Sequence, residues 1–154
     1  MHTYDVTVTW TGDDGEGTTT YRSYRRDNVV TAEGLPDLAG SADPAFRGDP
    51  TRWNPEQLLV AALSQCHLLT YLHLCALNEV VVTGYVDEAH GEMVLNRDHS
   101  GQMASVTLRP RVTVADAGMV ERAVALHHDV PDLCFIARSV NFPVRHEPTV
   151  LAAG

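Results

Sequence analysis

The stretch from residue 54 to about residue 77 constrains the fold of this chain more than any other. It opens Asn54-Pro55-Glu56-Gln57, in which three helix-start signals agree. Asn54 caps the first free amides, Pro55 suits the first helical position, and Gln57 stands where a capping box places it. Leu58, Leu59, Val60, Leu63, Leu68, Leu69, Leu72, Leu74 and Leu77 then fall on every face of the helix. A helix apolar all round is expected to be buried on all sides. In a chain of 154 residues, burying a helix this long calls for a second subunit over part of it. Ser64, Gln65 and His67 lie inside the stretch, so it does not read as a membrane span.

Strands are expected on both sides of this helix. Tyr4, Val6, Val8 and Trp10 alternate with polar residues, as in a half-buried strand. Residues 11–17, glycine-rich and acidic, predict a turn, and the Thr- and Tyr-rich residues 18–27 predict the returning strand of a hairpin. A third short strand is expected near residues 28–32. Residues 34–50 carry three prolines and three glycines, which predicts a long irregular loop. Beyond the helix, strands are expected over 80–88, 92–96, 105–114 and 142–150. A helix capped by Asp116 is expected over 117–128, and a shorter one over 132–140. Segregated runs of this kind indicate an α+β fold with mainly antiparallel sheet, in a single domain over residues 1–154.

Composition excludes some partners. There are 20 acidic against 11 basic residues, a formal charge of −9. A general nucleic-acid binder needs a basic footprint, and an acidic membrane surface repels such a chain, so neither is expected as a partner. Residues 1–10 alternate in polarity and show no basic-then-apolar leader; the expected location is cytoplasmic.

Three cysteines, Cys66, Cys75 and Cys134, do not make a disulfide framework. In a reducing compartment such thiols are core filler, metal ligands or redox centres. Cys66 is singled out by Ser64, Gln65 and His67 around it, polar residues in an apolar helix that need partners or a purpose. Glu56 lies ten positions earlier, in the first turn of the same helix. Cys75 follows Cys66 by nine residues, half a revolution at 100° per residue, so the two thiols point opposite ways. Cys75 therefore reads as a small apolar filler. Cys134 is 68 residues from Cys66, and their distance stays open at this level. The eight histidines show no HxH or HExxH spacing and there is no CxxC, so His67 and His73 read as polar lining or core residues and no metal is expected. No phosphate-cradling glycine loop, GxSxG elbow or dinucleotide fingerprint is present, and no cofactor is expected.

Residues 54–66, Asn-Pro-Glu-Gln-Leu-Leu-Val-Ala-Ala-Leu-Ser-Gln-Cys, resemble the OsmC/Ohr family of osmotically inducible and organic-hydroperoxide-resistance proteins. That family opens its central helix with N-P-E-[EQ]-L and carries a reactive cysteine ten residues after the Glu. Its second cysteine comes about 65 residues later, ahead of a terminal strand, which Cys134 matches. The family's second cysteine is often followed by Pro and a small polar residue; here Phe135-Ile136 follow, as in a divergent branch. The resemblance implies an intertwined homodimer with long central helices and active sites at the subunit interface. It implies a cysteine-based peroxidase in which Cys66 attacks a hydroperoxide, Cys134 resolves it, and an external dithiol reduces the disulfide. It also implies an Arg–Glu pair that activates the thiol: Glu56 by position, with Arg47 as the arginine on the OsmC-type pattern and Arg22 or Arg26 on the Ohr-type pattern. The alternative is a non-catalytic relative that senses redox state or binds a small molecule.

Overall fold

Asn54 and Gln57 close a reciprocal cap, with Gln57 N donating to Asn54 Oδ1 at 2.8 Å and Asn54 N donating to Gln57 Oε1 at 3.2 Å. From that cap helix α1 runs over Pro55–Leu77. It stops where Glu79 turns left-handed, at φ 59°, and Val80 N reaches back to Cys75 O at 3.0 Å. The computed structural model describes residues 1–154, which form two compact units, Met1–Leu58 and Leu59–Gly154.

In the first unit, β1 (Thr7–Trp10), β2 (Asn28–Thr31) and β3 (Leu38–Gly40) make an antiparallel sheet in that order. The predicted strand over 18–27 is not formed, and β1 pairs instead with β2, Thr7 opposite Thr31 and Trp10 opposite Asn28. Local bonds hold 18–27 in turns. The Arg26 guanidinium lies 3.9 Å over the Tyr24 ring and 4.5 Å over that of Tyr21, and it donates to both their carbonyls. Ser23 Oγ donates to Gly17 O and accepts from Thr20 N. Such side-chain bonds compete with a strand ladder for the same backbone groups. The predicted irregular loop over 34–50 is also partly regular, holding β3 and a 3-10 turn at Pro44–Phe46 capped by Asp43.

The second unit contains β4 (Val82–Asp87), β5 (His90–Leu95), β6 (Gly101–Leu108), β7 (Pro110–Val114), α2 (Val120–Leu126), β8 (Val144–His146) and β9 (Thr149–Ala152). They form two three-stranded sheets, β4-β7-β9 and β5-β6-β8. The strand predicted over 105–114 breaks at Arg109-Pro110, because Pro110 offers no N–H to continue the ladder; β6 and β7 therefore belong to different sheets. The predicted closing strand over 142–150 divides in the same way. β8 runs parallel to β6 and β9 parallel to β7, while β4–β7 and β5–β6 are antiparallel. The helix predicted over 132–140 shrinks to turns and one 3-10 turn at Ala137–Ser139.

Helix α1 is not buried on all sides within the chain. Its buried residues are Leu63, His67, Tyr71 and Cys75, one every four positions, which is a single stripe. Leu69 and Leu77 remain 60% and 66% exposed. The stripe spans two cores: Leu63 packs with Val106 and Leu108, whereas Tyr71 and Cys75 pack with Val112, Val114, Ala123, Leu126, Val130 and Cys134. Gly91 in β5 lets α1 come close, since a Cβ there would sit 2.6 Å from Val60 Cγ2 and 2.9 Å from Met103 Cε.

The two ends of α1 should respond oppositely to substitution. Asn54→Ala removes the cap and should lower stability by about 1 kcal/mol. Glu79→Gly relieves a left-handed residue and should raise it by up to about 1 kcal/mol. Urea midpoints at constant slope measure both, and a midpoint shift of the opposite sign in either variant contradicts this account of the helix ends.

Candidate functional site

Two segments of the second unit bring thiols together. The middle of α1 presents Cys66, half-buried, and the turns after α2 present Cys134, buried. Both are reduced, and the two side chains are close enough for the Cys66 thiol to influence the Cys134 thiol. Cys134 is fixed by its own backbone: its N–H donates to Val130 O at 2.8 Å, and its carbonyl accepts from Arg138 N at 3.1 Å. Burial pushes the Cys134 thiol up from its ordinary value, and the neighbouring Cys66 thiol adds to this, while the Ala137 and Ile136 amides oppose it. Cys134 therefore keeps its proton at neutral pH. Cys75 is buried elsewhere in the same core beside Tyr71, its thiol raised by burial.

The polar residues beside Cys66 have three separate explanations. Gln65 is exposed. Ser64 Oγ donates to Asp87 Oδ2 at 2.5 Å, and the other Asp87 oxygen accepts from Arg109 N at 2.6 Å. His67 is 1% exposed and joins a cluster that sequence reasoning did not assemble. Its Nε2 lies 3.0 Å from His127 Nδ1, with the two rings within 7° of parallel. Tyr71 stacks on His127 at 3.8 Å, and His146 covers His67 at 4.6 Å between ring centroids. Tyr71 Oη donates to Ala123 O at 2.8 Å. The outer nitrogens, His67 Nδ1 and His127 Nε2, are buried without partners. Sixty residues separate the paired histidines, and each alone matched an apolar face, so no local pattern pointed to the pair.

Burial depresses the imidazoles. His67 falls to about 3, with the charges of His146 and His127 adding to burial. His127 falls to about 4, again chiefly through burial, with His146 and His128 contributing. His146 is lowered by burial and His128, against the pull of Asp87. Tyr71 and Tyr85 are both raised by burial. The cluster is thus neutral at physiological pH. No three His, Cys, Asp or Glu side chains converge as a metal ion requires, and facing ring nitrogens at 3.0 Å suit a shared proton.

The remaining predicted residues lie in the first unit. Glu56 is half-buried in the first turn of α1, and its Oε2 is buried with no hydrogen-bond partner. Arg47 is exposed, with a left-handed φ of 64° at the end of the Pro44–Phe46 turn. No ion pair joins Glu56 to Arg47, Arg22 or Arg26. Arg26 is engaged by the two tyrosines, and Arg22 is exposed.

The model of the OsmC-like protein family matches residues 48–149. The chain belongs to the OsmC-like family. An OsmC-like protein of unknown function from Vibrio cholerae shares 30% identity over 97% of this chain and 100% of its own, with a TM-score of 0.85. Two more distant solved structures share the OsmC-like fold. An organic hydroperoxide resistance protein from Elizabethkingia anophelis has a TM-score of 0.67 at 15% identity, covering 99% of each chain. The organic hydroperoxide resistance protein OhrB of Bacillus subtilis has a TM-score of 0.67 at 20% identity, covering 96% of this chain and 98% of its own. No curated protein matches the sequence. The matched OsmC-like span includes Glu56, Cys66 and Cys134 and begins one residue after Arg47.

The buried imidazoles should make this OsmC-like chain acid-labile. An unfolded histidine titrates near 6.5, above the folded values of about 3 and about 4. Between those values the unfolded state binds more protons, so stability rises with pH and falls as pH drops below about 6.5. Lowering pH from 7.5 to 5 should cost about 2 kcal/mol for each of the two imidazoles, about 4 kcal/mol for the pair, read as a lower urea midpoint. An unchanged midpoint at pH 5 contradicts neutral burial of the pair.

Proposed function

We propose that the chain is a thiol-dependent peroxidase that reduces organic hydroperoxides through Cys66 and Cys134. The observation that carries this reading is the half-buried Cys66 thiol in reach of a buried, protonated partner thiol. Membership in a family that includes organic hydroperoxide resistance proteins supports the substrate class.

The thiolate, not the thiol, is the nucleophile. Cys66 attacks the outer oxygen of ROOH, leaving Cys66-SOH and, once the leaving oxygen takes up a proton, ROH. Cys134-SH then displaces water from the sulfenic acid to form the Cys66–Cys134 disulfide. An external dithiol reduces that bond by exchange and leaves as its own disulfide. Arg47 is the proposed activating cation, with Glu56 as its bidentate anchor; the buried Glu56 Oε2, without a partner of its own, is left able to accept one. Phe135, 79% exposed beside Cys134, offers apolar surface to an organic peroxide. A reducing, cytoplasmic compartment suits three unpaired thiols.

The working unit in this reading is a homodimer. Supporting it, α1 leaves Leu69 and Leu77 uncovered, and Leu133 and Phe135 are also exposed; apolar surface of this kind favours association. Sedimentation equilibrium at micromolar protein should give twice the 16.8 kDa chain mass, and a monomer at that concentration rejects the dimer.

Activity has its own test. Purified protein should consume cumene hydroperoxide or t-butyl hydroperoxide with a dithiol, and Cys66→Ser should lose all turnover. Brief peroxide treatment should remove about two mass units with loss of two thiols, as one disulfide forms. A stable oxygen adduct on Cys66 without a disulfide points to a redox sensor, and full activity in Cys66→Ser sinks the mechanism.

A further inference from the structure

We infer that the His67–His127 hydrogen bond is a positioning device that sets how the Cys66 and Cys134 thiols face each other. The inference rests on the Cys66–Cys134 redox pair proposed above. His67 follows Cys66 directly on α1, and His127 opens the segment that ends at Cys134. That segment is held by backbone hydrogen bonds: Asp129 N donates to Leu126 O at 3.2 Å, and Leu133 N and Cys134 N both donate to Val130 O, at 2.9 and 2.8 Å. An angle fixed at His127 is therefore carried to Cys134.

The rest of the contact between α1 and this segment is apolar, apart from the Tyr71 bond to Ala123 O. Apolar packing is non-directional and resists separation better than it resists sliding. The imidazole pair is directional: the rings are nearly coplanar, 3.0 Å apart between nitrogens, and clamped by Tyr71 on one ring and His146 on the other. Two leucines would bury more carbon and leave no outer nitrogen unpaired, but they would fix no angle. Around the pair stand Tyr71 from α1, Tyr85 and Asp87 from β4, His128 beside His127, and His146 from β8. None of the imidazoles is a reacting group.

The test measures the disulfide itself, apart from peroxide. Protein equilibrated without oxygen in mixtures of oxidised and reduced dithiothreitol undergoes one exchange: Cys66-SH and Cys134-SH become the disulfide as cyclic dithiothreitol opens to its dithiol. Acid quench, alkylation and peptide mapping give the fraction oxidised. His127→Phe keeps the ring stacked on Tyr71 but removes the bond, and should lower the equilibrium constant about tenfold, about 30 mV for a two-electron couple. His127→Asn keeps a polar group near the Nδ1 position and should recover most of that loss. Val106→Ala, in the other core, should lower the melting temperature without moving the constant, because a uniform loss of stability affects oxidised and reduced forms alike. His127→Leu is read in the same way if His127→Phe does not fold. An unchanged constant in the bond-removing variant, or an equal shift in Val106→Ala, overturns the positioning role while leaving the redox pair intact. If the wild-type protein forms no Cys66–Cys134 disulfide in any mixture, the redox pair fails and the positioning role falls with it.

Discussion

The second unit hangs on one spacing, a buried residue every fourth position along α1. Leu63, His67, Tyr71 and Cys75 form that stripe, and it meets two sheets in succession. Leu63 belongs to the core of β5-β6-β8, while Tyr71 and Cys75 belong to the core of β4-β7-β9. His67 falls between them, where a polar group must either be paired or cost stability. Pairing with His127 settles this for one nitrogen and leaves the other without a partner. The helix thus joins two cores through a polar seam, and the thiols lie beside that seam.

The environment gives the two thiols unequal character. Cys134 is sealed in an apolar core that holds its proton, whereas Cys66 keeps access to solvent. Nearby, Asp87 is occupied by Ser64 and the Arg109 amide. The histidines are neutral because low dielectric penalises their charged form. The polar neighbours of the thiols are thus a paired carboxylate and uncharged imidazoles.

Much of this was legible in the sequence where the signal was local. The cap of α1 is written in four consecutive residues and formed as read, and β2, β5 and the Asp116-capped helical region also stand close to their expected places. The misreadings share one cause, competition that composition does not display. Residues 18–27 look like a strand by content, yet Arg26 spends its guanidinium on two tyrosines and their carbonyls. Pro110 splits one apolar run between two sheets. The apolar circumference of α1 marked how much surface needs cover, but not that the chain itself covers only one stripe. At the site, Cys66 stood out through its neighbours, and Cys134 only through family resemblance. The His67–His127 pair was invisible because a contact across 60 residues leaves no periodicity.

The two parallel pairings have a kinetic consequence. Val106 meets Val144 and Val112 meets Val150, each 38 residues apart in sequence. Closing a loop of that length costs about 3 kcal/mol of chain entropy. The second pairing adds little, because β6 and β7 are joined at Arg109 and β8 and β9 at Glu147-Pro148. One entropic closure thus serves both sheets, and α2, His127 and Cys134 all lie inside the loop it closes. Peeling away β8 alone leaves the loop closed by β9, and the reverse, so opening the loop that holds Cys134 requires losing both pairings together.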